Sequence, residues 1–334
     1  MKAAAIIEMI VNTAKAPVGN RVPILIEGPP GIGKTETAKQ AADILGGIVH
    51  NPNAEVTDPV DVGGFPRING SDAMSYTRPW IMPPAAEDRP VILFVDEADK
   101  MLPSAQASWL SVFQNREVHG HKLGDNVTIL AAANRTIDRT GGHNLIPALR
   151  SRVSAVTAEP DVNGWSQWAM GAGVPTVVVA FNRFRPELHF AFDPKQVGLP
   201  FPCPRSHVNV GKIVACGHSA EAEHALVNGT VGEGCGAEYI GFFRVFRSLP
   251  SIDGILLAPD SAVVPTDPAT LYAVTTALAG RASQQNFGSI VRYGKRLPSE
   301  FSVFMVAGAV RREPAVQQTR AFIDWSSENA GVLI

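Results

Sequence analysis

Cysteine is scarce in this chain of 334 residues: Cys203, Cys216 and Cys235 are too few, and odd in number, for a disulfide framework. They point to free thiols in a reducing compartment, and the chain is expected to be cytoplasmic. A dominant charge is also missing, since 29 Lys and Arg stand against 31 Asp and Glu for a formal net charge of -2. That balance offers no global attraction to nucleic acid or to an anionic membrane, so any such contact must be local. No apolar run approaches the roughly 18 residues that span a bilayer; "VPTVVVAF" at 174 to 181 is a short one. The opening "MKAAAIIEMIVNTAK" has the lysine and apolar residues of a secretion signal, but Glu8 interrupts the run and no small-residue cleavage site follows. An amphipathic first helix is expected there. Internal repeats and low-complexity tracts are absent. A hydrophobic content of 45% is that of a folded protein with one large domain or two subdomains.

What is present begins with "VPILIEGPPGIGKTETAKQAADIL", in which a short apolar run passes through a glycine-rich turn into a helical pattern. Gly28, Pro29, Pro30, Gly31, Ile32, Gly33, Lys34 and Thr35 fill the pattern G-x-x-x-x-G-K-[ST], with Glu36 following. Glycines let backbone N–H groups curl round a polyphosphate at a helix start, where the dipole favours anions. Lys34 would reach the β- and γ-phosphates, and the Thr35 hydroxyl would bind Mg²⁺. The competing reading is a glycine turn before a helix with a surface lysine, which the preceding strand disfavours.

"RPVILFVDEADKM" supplies a buried strand, Val91 to Val95, that ends in two acids. Asp96 would hold the Mg²⁺ hydration shell, and Glu97 would polarise an attacking water. Adjacent carboxylates at the end of an apolar strand are seldom structural, because their desolvation needs compensation. A third strand, "NVTILAAANRT", ends in Asn134. In open parallel sheets the ligand site gathers at the carboxyl ends of the strands, so Asn134 joins the set.

With these motifs in order the sequence resembles the AAA+ ATPases, and within them the MoxR-like branch related to magnesium-chelatase ATPase subunits, over about residues 3 to 215. The resemblance implies an α/β fold: a P-loop AAA+ core with a parallel five-stranded sheet between helices (1–158), then a helical lid and extra C-terminal helices (159–334). "GPPGIGKT" resembles the Walker A loop, "ILFVDEAD" Walker B, and Asn134 the first sensor, which helps to position the water. "IPALRSRV" resembles the segment carrying the arginine finger, with Arg152 the better match and Arg150 the reserve. A finger acts in trans, so the resemblance implies a homo-oligomeric ring, a hexamer. "EVTDPVDVGGFPRINGSDAMSYTRPWIMPP" and "FQNREVHGHKLGDNVTI" resemble the inserts near the pore, which makes Phe65, Tyr76, Trp80, His119, His121 and Lys122 candidates for contact with a substrate or partner. "CPRS" resembles the start of the lid helix whose Arg205 is the second sensor.

Cys203 and His207, with Cys216 and His218, also have the elements of a zinc set, but Pro202 and Pro204 flank Cys203 and no C-x₂-C pair is present. The sensor reading of Arg205 is preferred. The expected function is Mg²⁺-dependent ATP hydrolysis that remodels a protein client or adaptor, which the resemblance suggests carries a von Willebrand factor A domain. No membrane contact is expected. A nucleic-acid motor or loader of the same class is the first alternative, which one basic loop would suffice to support. A nucleotide-gated assembly scaffold is the second.

Overall fold

Each apolar run that precedes a motif is a strand in the computed structural model, which describes residues 1–70, 73–138, 143–196, 198–247, 249 and 251–329. The strands are β1 (Ile24–Glu27), β2 (Ile48–His50), β3 (Pro66–Asn69), β4 (Ala73–Tyr76), β5 (Val91–Val95), β6 (Glu117–Val118), β7 (His121–Lys122), β8 (Val127–Ala133) and β9 (Ser154–Thr157). Five of them form one parallel sheet in the order β2-β5-β8-β1-β9, while β3 with β4 and β6 with β7 make separate antiparallel hairpins.

Side chains alternate across a strand, and here both faces are apolar, as a parallel sheet covered on both sides requires. Leu25, Leu93, Val95, Ile129 and Ala131 point to one face, where they pack with Trp109, Val112 and Phe113 of helix α4. Ile24, Ile26, Ile92, Phe94, Leu130 and Ala132 point to the other, under Ile6 and Ile10 of α1 and Ala38, Ala41 and Ala42 of α2. The helices of this part are α1 (Ala3–Lys15), α2 (Lys34–Ile44), α3 (Pro59–Gly63), α4 (Pro103–Asn115) and α5 (Pro147–Arg150). The amphipathic first helix is α1: Ile6 and Ile10 are four apart, hence on one side, and each contributes about 2 kcal/mol by burial.

The chain divides into two units, Met1–Pro160 with Asp193–Val197, and Asp161–Phe192 with Gly198–Ile334. Among the described residues the second is helical: α6 (Val162–Gly171), α7 (Thr176–Phe184), α8 (Pro204–Ala215), α9 (Ala220–Val231), α10 (Glu233–Arg247), α11 (Ile252–Leu257), α12 (Pro268–Gly280), α13 (Phe287–Gly294), α14 (Ser299–Arg312) and α15 (Arg320–Glu328). It contains two apolar clusters, one round Val178, Phe181 and Tyr239, the other round Val274, Tyr293 and Trp325. Helix α12 packs against both α7 and α14. Gly308 permits the second contact, since a Cβ there would lie 3.1 Å from that of Ala279. The fold is therefore α/β, a five-stranded parallel sheet between helices followed by further helices.

Candidate active site

Sheet order decides which side chains meet. Strand β8 lies between β5 and β1, so the residues that leave the carboxyl ends of these three strands, Asp96, Asn134 and Gly28, converge on one edge. The Gly28 N–H donates to the Ala133 carbonyl at 3.2 Å and so continues the β1–β8 ladder into the loop. From there Pro29 to Ile32 turn back towards α2, and Gly33 takes φ +102°, a left-handed conformation that a β-carbon disfavours. Lys34 and Thr35 open α2, with Glu36 in its first turn.

The Lys34 ammonium donates to the carbonyls of Gly28 (2.8 Å) and Pro29 (3.2 Å) and to Asn134 Oδ1 (3.0 Å). Asn134 is itself oriented by Asp99, whose carboxylate accepts from the Asn134 backbone N–H at 3.0 Å and from Nδ2 at 3.3 Å. With Nδ2 committed to an anion, Oδ1 must face the cation, so the buried Asp99 fixes the direction of the amide dipole. Sequence reasoning missed Asp99. The available signal was a third acid in "VDEADK", one turn beyond the strand.

Thr35 Oγ1 donates to Asp96 Oδ2 at 2.8 Å, and Asp96 Oδ1 accepts the Glu97 backbone N–H at 2.9 Å. Two hard oxygens within contact of each other are a donor set that suits Mg²⁺ sharing its shell with water and phosphate, so the residues present fit that ion. Glu97 sits at φ +52°, an uncommon left-handed conformation for a non-glycine residue, immediately after the strand. A hydrogen bond between its carboxyl and that of Glu55, first, and then partial burial and the negative charges of Glu55 and Asp96, hold Glu97 above the usual carboxylate range; Lys100 acts in the opposite direction. Glu55, from the 3₁₀ turn Ala54–Val56, was also missed. Nothing in its sequence context marks it.

The two arginines of "IPALRSRV" have different surroundings. Arg150 forms a two-pronged ion pair with Glu27 of β1, at 2.6 and 3.1 Å. Among the described residues Arg152 donates to neutral oxygens, Gln114 Oε1 at 2.7 Å and the Ala148 carbonyl at 2.6 Å. In the hairpins, the Tyr76 ring packs against that of His119 in a tilted pair with centroids 3.9 Å apart, His119 Nδ1 lies 2.9 Å from the Gly63 carbonyl and His121 Nε2 2.9 Å from that of Tyr76. These three side chains therefore clamp one hairpin to the other, whereas Phe65 and Trp80 are exposed and Lys122 is exposed beside Glu117. Ser71 and Asp72 of the first insert lie outside the described residues.

In the helical unit Arg205 is exposed as the second residue of α8, after Pro204. His207 is buried, with Nδ1 2.7 Å from the Tyr239 hydroxyl and Nε2 3.1 Å from the His189 carbonyl, so both ring nitrogens have partners other than a metal. Burial, followed by the nearby His189, depresses its pKa to about 3. Cys203 lies at the N-terminal cap of the same helix, and Cys216 is exposed. Among the described residues no group of three or more His, Cys, Asp or Glu side chains has a metal-holding arrangement, and no helix is long and apolar enough to cross a membrane.

Residues 24–159, less than half of the chain, match the family model described as "ATPase family associated with various cellular activities (AAA)". No curated protein matches the sequence. Solved structures with a weak likeness include the RuvB Holliday junction branch migration motor of Thermotoga maritima, at 15% identity over 83% of this chain and 80% of that one, with a TM-score of 0.39. NtrX of Brucella abortus in complex with ATP is similar at 16% identity over 88% and 64%, with a TM-score of 0.40. A DNA polymerase III gamma subunit-related protein of T. maritima is similar at 13% identity over 91% and 83%, with a TM-score of 0.34. Likenesses at this level carry no argument, and the assignment rests on the family match together with the phosphate loop and the sheet that presents it. The family match supports an ATP-hydrolysing enzyme, with residues 24–159 similar to the AAA domain.

Proposed function

We propose that the chain is a Mg²⁺-dependent ATPase of the MoxR-like branch that assembles into a hexameric ring and remodels a protein client. The observation that carries this reading is the joining of three strand ends by the Asp99–Asn134–Lys34 chain beside the Thr35–Asp96 pair. Gly28 to Glu36 would bind the triphosphate, with Lys34 on its β- and γ-phosphates, and Thr35 and Asp96 would hold the metal. Mg²⁺, when bound, neutralises phosphate charge. Asn134 would orient the attacking water, and Glu97 would accept its proton at a carboxylate oxygen, which requires the ionised form and hence separation from Glu55.

Arg152 is assigned to the trans contact with a neighbouring subunit's γ-phosphate, in preference to Arg150. An arginine already paired with Glu27 would have to give up that ion pair, whereas Arg152 would exchange only neutral partners. Residues 159–334 are read as lid and extension, with Arg205 as the second sensor. The exposed Phe65, Ile68, Met74 and Trp80 of the first insert favour a polypeptide client, because an apolar tip is suited to side chains more than to a phosphate backbone. An adaptor with a von Willebrand factor A domain and a cytoplasmic location belong to the same reading.

The test uses the Glu97→Gln chain held in ATP as a trap. The expected result is a hexamer, by sedimentation, that retains a protein identified by mass spectrometry and releases it on exchange to ADP. Salt-sensitive stimulation of wild-type hydrolysis by DNA, with no protein retained, would replace the client reading with the nucleic-acid one.

A further inference from the structure

The amino edge of the central sheet, opposite the phosphate loop, contains a pocket of about 590 Å³ whose walls carry Arg21, Arg116 and Arg152 with Gln114 and Asn115 over Phe113. No acidic residue lines it. Arg21 donates to the carbonyls of Ala16 (2.9 Å), Asp125 (2.6 Å) and Val127 (3.3 Å). Arg116 donates to the carbonyls of Gly124 (2.9 Å) and Val127 (2.7 Å). Two guanidinium groups thus share one carbonyl, and Arg152 is held by an amide oxygen and another carbonyl. The hydrogen-bond partners of all three are neutral, so three positive charges face a concave surface with no carboxylate bonded to them. Burial, and then the charge of Arg21, lower the Arg116 pKa, while Asp125 offsets part of the effect. Cations gathered at such a cost, with their forks fixed by carbonyls, are preorganised for the several oxygens of a phosphate. The volume is that of a small-molecule site.

We propose that this pocket is a second phosphate-binding site, distinct from the Walker A loop, in which Arg21 and Arg116 bind an oligophosphate that Arg152 contacts at the rim. The phosphate belongs either to a small soluble compound or to the nucleotide held by a second copy of this chain. The pocket shares Arg152 with the trans contact proposed above, but it rests on Arg21 and Arg116.

Two arms test it, both with the Lys34→Ala chain, which silences the loop. In the first, inorganic triphosphate is titrated calorimetrically. Binding of one equivalent is expected, weakened about tenfold or more by Arg116→Gln, the loss of one charge-assisted contact. Because Arg116 also supports the backbone, Asn115, exposed on the pocket wall, provides a second variant with little risk to the fold. Asn115→Asp should weaken triphosphate binding and Asn115→Lys should tighten it, with thermal stability unchanged. In the second arm the Lys34→Ala chain is mixed with ATP-loaded Glu97→Gln chain, and association is followed by sedimentation. The same ordering of Asn115 variants there, with none in the first arm, identifies the second copy as the source of the phosphate. If both arms are indifferent to Arg116→Gln and to both Asn115 variants, the pocket is not a phosphate site. The first arm requires no hydrolysis and no ring, so its success beside an inactive wild-type chain would sink the ATPase reading and leave the pocket standing.

Discussion

At the carboxyl edge of the sheet Lys34, Lys100 and Arg150 stand beside acids, Asp96, Glu97, Asp99, Glu55 and Glu27; at the amino edge Arg21, Arg116 and Arg152 donate to neutral oxygens. Both edges belong to the same five strands, so the difference lies in what each strand carries at its two ends. At the carboxyl edge anion and cation are linked within the chain, since Asn134 joins Asp99 to Lys34. At the amino edge the three guanidinium groups are bonded to neutral oxygens, with Asp125 acting on Arg116, which leaves a concavity suited to an anion. One edge is cross-linked within the chain, and the other is open to an anion.

The sharpest way to break this comparison is to remove Lys34. Lys34→Ala should weaken ATP binding by roughly 100-fold or more, about 2.7 kcal/mol, as measured by calorimetry. Glu97→Gln should leave affinity within about threefold and reduce turnover by at least 100-fold, because a general base acts on the water and not on the bound phosphate. Equal loss of affinity in both variants would show that binding and chemistry are not divided between Lys34 and Glu97.

The arginines come next. Arg152→Ala should bind ATP normally and lose about 1000-fold in turnover, the magnitude of a missing trans arginine. Arg150→Ala should act differently, since its partner Glu27 lies beside the phosphate loop: a modest loss of stability, near 1 kcal/mol for a half-exposed pair, with turnover reduced far less. Mixing Arg152→Ala with Lys34→Ala should restore activity above the sum of the separate rates, where an intact loop meets an intact arginine. Mixtures that never exceed that sum, although cross-linking shows the two chains together, would remove Arg152 from the role.

The two edges were not equally legible. Gly28 to Thr35 is one contiguous stretch whose spacing is itself the chemistry, and the strands that end in Asp96 and Asn134 are apolar runs that announce themselves. The five-stranded sheet and the helices after it followed from the resemblance that those runs supported, since the three-residue β2 is too short to have a pattern of its own. Arg21, Arg116 and Arg152 lie far apart in sequence and meet only because β1, the end of α4 and the approach to β9 share one edge. Glu55 is illegible for a similar reason, since its partner is 42 positions away and a turn of three residues brings it there. The histidines of the second hairpin were legible as residues but not in role: the carbonyls of Gly63 and Tyr76 occupy them in a clamp.

A smaller effect is expected from Asp99→Asn. The change removes the anion that orders the Asn134 amide, so Oδ1 is no longer forced towards Lys34. Turnover should fall about tenfold with little change in ATP affinity, and Asn134→Ala in the same background should add less than it does alone, because residues in one network are not additive. Full additivity in this double-mutant cycle would show that Asp99 serves only the fold.

The smallest and most specific effect concerns Glu55→Gln. Glu97 must be ionised to accept a proton from water, and its pKa is raised, first by the hydrogen bond with Glu55. As pH falls through that raised value the base is lost, so the acid limb of the turnover profile reports the Glu97 carboxyl in the nucleotide-bound chain. Replacing Glu55 with the uncharged amide removes its negative charge and lets donation by the glutamine Nε2 favour the ionised form of Glu97. Both changes act in one direction and lower the pKa. The acid limb should therefore move to lower pH, with turnover on the plateau above it nearly unchanged, as measured by steady-state hydrolysis across a pH series at saturating ATP. A limb that stays in place while the plateau drops would mean that Glu55 shapes the position of Glu97 and not its proton affinity.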